Sequence, residues 1–154
     1  MTTICETGFN AGHSTLIYLL SNPRAKVYSF DINRHPLTQP MAEYLKQRFP
    51  GRFHITYGDS VKTLPAFHRL KPDVKCDFTS TDGGHTVPIA TADLENFYSM
   101  SSHRNIAFFD NHPDRFTVGT PWESLKRRGK LTEYFRCRYA KGQKFGFTFG
   151  QFIY

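Results

Sequence analysis

The chain has 154 residues, 39% of them hydrophobic and 16% aromatic, a composition that suits one globular domain with a real core and excludes a disordered chain. Its longest apolar runs, such as residues 16–20, fall far short of the roughly 18–20 residues a membrane span needs, and no basic and apolar leader opens it; a cytoplasmic protein without membrane contact is expected. The net charge of +7 sits at one end: residues 124–154 hold eight Lys/Arg against Glu133 alone, which makes either a solvated basic face or one that favours an anionic substrate or nucleic acid.

Strand-like and helical runs then alternate. Residues 3–6 read as a short strand entering a glycine turn, and 14–21 as a helix stopped by Asn22-Pro23. A second strand is predicted at 26–31, and a helix at 38–49 with Met41, Tyr44, Leu45 and Phe49 on its inner face. A third strand at 53–57 closes in Gly58-Asp59-Ser60 before a short helix at 61–70. The fourth strand, 76–81, ends in Asp82-Gly83-Gly84-His85; a helix at 87–100 follows, with Ala90, Leu94, Phe97 and Tyr98 inward. The fifth strand, 105–109, ends in Asp110-Asn111. Beyond it, Thr120-Pro121-Trp122-Glu123 reads as a capping box opening a helix that Gly129 ends. Residues 134–139 and 145–154 flank a Lys141-Gly142-Gln143 turn as an antiparallel hairpin, with Phe145, Phe147 and Phe149 alternating along its second arm. Cys5, Cys76 and Cys137 fall inside predicted strands at no metal-like spacing, and all three are expected to be reduced core residues.

The alternation implies a doubly wound, Rossmann-like α/β domain spanning 1–154, a mostly parallel sheet with a terminal antiparallel hairpin. Ligands of such sheets bind beyond the carboxyl ends of the strands, near the switch point. Glu6, Asp31, Asp59, Asp82 and Asp110 all fall at or just beyond strand ends, where a core has no use for a carboxylate. In the first turn, Gly8 and Gly12 let backbone approach a ligand, and the helix that follows offers free N–H groups to an anion. Asn10 occupies the middle position of the dinucleotide fingerprint, which speaks against a nicotinamide oxidoreductase. A carboxylate at Asp31 suits a pair of ribose hydroxyls.

The series Glu6-Thr7-Gly8-Phe9-Asn10-Ala11-Gly12, Phe30-Asp31, Tyr57-Gly58-Asp59-Ser60, Asp82-Gly83-Gly84-His85 and Asp110-Asn111 resembles the class I S-adenosylmethionine-dependent methyltransferases, over about residues 3–112. The resemblance implies that Glu6, Gly8 and Gly12 surround the methionine end of the cofactor, with Ser14 reaching its carboxylate. It further implies that Asp31 binds the ribose and that Asp59 and Ser60 border the adenine, with Asp82 also at the cofactor. A second likeness, to catechol-type O-methyltransferases, implies Asp82, Asp110 and Asn111 as ligands of Mg²⁺, which favours oxygen donors. Where those enzymes carry a lysine base, this sequence has His85; histidine titrates near neutrality and is suited to take a hydroxyl proton, although a turn histidine bonded to backbone is the plainer alternative. His112 is either another ligand or a loop residue.

No Asn/Asp-Pro-Pro-aromatic motif follows the fourth strand and no Pro-Cys nucleophile is present, so the resemblance points to oxygen, on a small hydroxylated metabolite, as the methyl acceptor. The helices that usually precede the first strand of this family and cover the cofactor are absent from this sequence, which fits either a natural minimal form or a fragment of a longer protein; in a minimal form, a homo-oligomer or a covering partner subunit is the candidate substitute. Two other functions stay open: a noncatalytic cofactor-binding module, and a nucleic-acid-directed methyltransferase using the basic end.

Overall fold

The computed structural model describes residues 2–110, 119–138 and 146–154. The elements run β1 (Thr3–Thr7), α1 (His13–Ser21), β2 (Lys26–Asp31), α2 (Thr38–Arg48), β3 (Phe53–Tyr57), α3 (Ser60–Leu70), β4 (Cys76–Thr81), α4 (Val87–Met100), β5 (Ser101–Asp110), α5 (Gly119–Arg127), β6 (Leu131–Arg138) and β7 (Gly146–Phe152). They form one seven-stranded sheet in the order β3-β2-β1-β4-β5-β7-β6. Strands β1 to β5 run parallel to one another, while β7 runs antiparallel to both β5 and β6. The chain winds outward from β1 to β3 and then crosses back to β4, so β1 and β4 flank the switch point where ligands of such sheets bind.

Alternation along the strands splits the core in two. On one face Cys5, Phe30, Ala107 and Phe109 pack against Leu64 of α3, Leu94 and Phe97 of α4, and Trp122 and Leu125 of α5. On the other, Ile4, Val27 and Phe53 meet Leu19 of α1 and Leu45 of α2. Trp122 is fully buried, stacks on Phe109 at 5.7 Å between centroids, and donates its indole N–H to Glu133 Oε2 at 2.8 Å; truncating such a ring costs about 3–5 kcal/mol.

Five expectations are corrected. Cys5 and Cys76 are joined in a disulfide, and only Cys137 is a free thiol. The crossover lays β4 beside β1 and brings the two Cα atoms to 5.8 Å, within bridging range. Tyr44 is 53% exposed, because the buried stripe of α2 runs through Thr38, Ala42 and Leu45 instead. β5 begins at Ser101, directly after α4, since Ser101 pairs with Cys76 ahead of a register shift in the ladder. Thr120 lies inside α5, which already includes Gly119, and β6 starts at Leu131, paired with Phe152. The Lys141-Gly142-Gln143 turn, Tyr139 and Phe145 lie outside the described residues. No helix among the described residues is long and apolar enough to cross a membrane.

Candidate functional site

A cavity of about 580 Å³ opens at the carboxyl ends of β1 to β4, a size that holds a cofactor or drug-sized ligand. Its wall includes Gly8, Asp31, Asp59, Ser60, Asp82 and His85, so six residues predicted from four separate segments converge there.

The floor is set by Gly8. Its φ is +89°, its N–H donates to the Phe30 carbonyl at 2.9 Å, and a β-carbon would stand 1.9 Å from the Asp82 carbonyl oxygen. Only glycine therefore lets the turn after β1 lie against the end of β4. Asp31 is held from both sides: Oδ2 accepts from the Asn10 N–H at 2.8 Å and Oδ1 from the Asn33 N–H at 2.6 Å. Both asparagines have positive φ, +52° and +62°, a conformation Asn tolerates better than other residues with a β-carbon. Asp59 caps α3 by accepting from the Val61 N–H at 3.1 Å, which brings Ser60 to the wall.

At the far side, Asp82, His85 and Asp110 each offer a ligand atom, and these atoms lie within 4.8 Å of one another. His85 Nε2 is 3.5 Å from Asp82 Oδ1. Burial by the surrounding wall pushes the Asp82 carboxyl up to about 7, and the negative charges of Asp110 and Glu6 add to the effect. Oxygen donors with one imidazole, crowded by their own negative charge, fit a divalent cation. Asn111 and His112, the other expected ligands, lie outside the described residues.

Glu6, Gly12 and Ser14 are not brought to the cavity wall. Glu6 is 1% exposed and points to the α1 face of β1, where the hydroxyls of Ser14 (2.7 Å), Thr15 and Ser29 (2.7 Å) donate to it. Burial raises its pKa, the three hydroxyls pull it back, and Asp31 raises it further. Gly12, at φ +76°, makes room for the Phe9 ring, whose Cζ would be 2.6 Å from a β-carbon. These residues hold the first turn from behind.

Sequence reasoning missed Asp93. It lies on the inner face of α4 between Ala90 and Phe97, fully buried. The signal was present as an acid placed at i+3 from Ala90 within an otherwise apolar stripe.

A family model described as a methyltransferase domain matches residues 5–112. Among curated proteins, none matches this sequence. Among solved structures, the O-methyltransferase TomG from Streptomyces achromogenes, involved in tomaymycin synthesis and determined in complex with SAM, is similar at 18% identity and TM-score 0.76, over 97% of this chain and 72% of that one. The apo structure of CalS11, a TDP-rhamnose 3'-O-methyltransferase of calicheamicin biosynthesis, gives 17% and 0.67, over 97% and 70%. A TehB-like SAM-dependent methyltransferase from Corynebacterium glutamicum gives 15% and 0.67, over 99% and 80%. At these identities the structures speak to fold, and the family model speaks to kinship. Its span runs from the strand that carries Glu6 to just past the one that ends in Asp110, and so takes in every turn that walls the cavity. The chain belongs to the methyltransferase-domain family, on the class I S-adenosylmethionine-dependent methyltransferase fold.

Proposed function

We propose that this protein is an S-adenosylmethionine-dependent O-methyltransferase acting on a small hydroxylated metabolite, with Mg²⁺ at Asp82 and Asp110. The observation that carries the reading is the convergence of Gly8, Asp31, Asp59, Ser60, Asp82 and His85 on one cavity at the switch point. Support for an oxygen acceptor comes from the neighbours TomG and CalS11, both named O-methyltransferases.

When bound, the cofactor supplies an electrophilic methyl carbon on a sulfonium. Asp31, already oriented by two backbone N–H groups, takes the ribose hydroxyls, while Asp59 and Ser60 border the adenine. Gly8 lets the methionine end approach the backbone between β1 and β4. His85 would accept the proton of the acceptor hydroxyl, and Asp82 and Asp110 would hold the cation, whose positive charge would lower that hydroxyl's pKa. Positioning of the nucleophile against the methyl carbon supplies most of the acceleration.

The tight grouping of Asp82, His85 and Asp110 supports a second role for His85, as the third metal ligand. The experiment follows S-adenosylhomocysteine release with a panel of phenolic and sugar hydroxyl acceptors, with and without Mg²⁺. It is paired with a Mg²⁺ titration of wild type and His85→Ala. A base predicts lost turnover with unchanged Mg²⁺ affinity; a ligand predicts that both fall. Methyl transfer to no hydroxylated acceptor in the panel, with SAM bound, would favour the noncatalytic module instead.

The basic end gives little support to a nucleic-acid substrate. Lys126, Arg128, Lys130 and Arg136 each pair with Glu95, Glu123 or Glu133, so their charge is partly spent within the protein.

A further inference from the structure

Asp93 presents a problem that the catalytic reading leaves unsolved. Its carboxylate is fully buried, and neither oxygen has a hydrogen-bond partner among the described residues. Buried polar groups are nearly always satisfied, and a lone buried carboxylate is strongly unfavourable. Thr7, the last residue of β1, is 1% exposed, and its hydroxyl is unpartnered in the same sense.

The two groups face a common point. A β-carbon on Gly83 would come within 3.0 Å of Thr7 Oγ1 and 3.1 Å of Asp93 Oδ2. The hydroxyls of Ser60 and Thr7 stand close enough to act on the acid without completing a hydrogen bond of normal geometry: burial raises the Asp93 pKa to about 6, while Ser60 and Thr7 pull it down and Asp59 raises it. Thr7, Ser60 and Gly83 all line the cavity, and Asp93 stands directly behind them. One side chain of α4 thus reaches the turns that end β1, precede α3 and end β4. These are three of the turns against which the cofactor is proposed to lie, beside the one that carries Asp31.

We propose that Asp93 is a positioning residue for the cofactor, accepting hydrogen bonds from Thr7 and Ser60 when the cavity is filled and so fixing the three turns together. The proposal rests on the S-adenosylmethionine reading above. Binding draws Thr7 and Ser60 onto the carboxylate, and satisfying that buried acid contributes to affinity. No group on Asp93 touches the reacting atoms, so its effect falls on binding. Gly83 has no side chain because one would enter the space between the two groups.

The test is calorimetric titration of S-adenosylmethionine, and separately S-adenosylhomocysteine, into wild type, Asp93→Ala, Asp93→Asn, Thr7→Val and the Asp93→Ala/Thr7→Val double variant, each checked for folding by circular dichroism. Asp93→Ala is expected to raise both Kd values roughly 10- to 100-fold, the loss typical of hydrogen bonds to a charged group. Asp93→Asn, which keeps an acceptor oxygen, is expected to stay within about 3-fold of wild type. Thr7→Val should raise Kd roughly 5- to 10-fold alone and less than about 2-fold on top of Asp93→Ala, because the two share one interaction. A folded Asp93→Ala protein that melts earlier but binds within about 2-fold of wild type would show a purely structural role and overturn the proposal. So would independent, multiplying effects of Asp93→Ala and Thr7→Val. Should Asp93→Ala not fold, the near-isosteric Thr7→Val decides, and an unchanged Kd there overturns the proposal. Wild type failing to bind the cofactor would sink the functional reading itself; wild type binding with unaffected variants would sink this inference alone.

Discussion

The two ends of the sheet treat their acids in opposite ways. Around β1 to β4, Glu6, Asp82 and Asp93 have carboxyls raised by burial, with hydroxyls, other acids or, for Asp82, the His85 imidazole as neighbours and no Lys or Arg ion pair among the described residues. Around α5, β6 and β7, Glu123 and Glu133 are ion-paired. Burial works against Glu133, but Arg136, Trp122 and Lys126 outweigh it and pull its carboxyl down to about 2. The contrast separates acids neutralised by cations within the protein from acids left to hydroxyls, an imidazole or one another. Of the second group Glu6 is satisfied by three hydroxyls behind the first turn, whereas Asp82 stands at the cavity wall.

The sharpest way to break this comparison is at the cavity floor. Gly8→Ala places a β-carbon 1.9 Å from the Asp82 carbonyl at a φ of +89°. It is expected to cost about 3 kcal/mol or more in urea unfolding and to abolish cofactor binding. A variant as stable as wild type would mean that the turn is not packed against β4.

The acidic strand ends were legible in the sequence because each stood where an apolar run stopped, and the alternation of runs gave the parallel sheet with its terminal hairpin. Which of those acids faces the cavity was not legible. Glu6 and Asp31 look alike as strand-end carboxylates, yet Glu6 lies within β1, on its α1 face, and bonds Ser14, Thr15 and Ser29, whereas Asp31, the last residue of β2, is left at the cavity wall. The Cys5–Cys76 bond was hidden for a different reason, since it depends on β4 crossing over to lie beside β1. Asp93 was lost inside an apolar stripe that otherwise reads as plain helix core.

An intermediate effect sharpens the contrast through pH. The folded state holds the Asp93 proton up to about 6, whereas an unfolded aspartate releases it near 3.9. Between those values the native state binds more protons, so stability falls as pH rises and the penalty is complete above about 6. Asp93→Asn lacks that penalty. Its stability relative to wild type should improve by about 2–3 kcal/mol between pH 4 and pH 7 in parallel urea melts, and a flat difference would mean the acid is solvated.

The smallest effect belongs to the paired end. Arg136→Ala leaves Glu133 with Lys126 and the Trp122 indole as partners, and should cost about 1 kcal/mol at pH 7. Because the Glu133 carboxyl is depressed in the fold, its contribution is present above about 4.3 and fades as pH falls toward 2. The difference between Arg136→Ala and wild type should therefore be larger at pH 7 than at pH 3, with cofactor affinity unchanged at pH 7. Weakened cofactor binding in this variant would erase the distinction between the two ends.

The central claim is that the cavity at the β1/β4 switch binds S-adenosylmethionine through Asp31. Calorimetric titration of the cofactor into wild type and Asp31→Ala tests it directly. The account predicts saturable one-to-one binding to wild type, weakened roughly 10- to 100-fold in the folded variant. No saturable binding to wild type, or equal binding to both proteins, would contradict it.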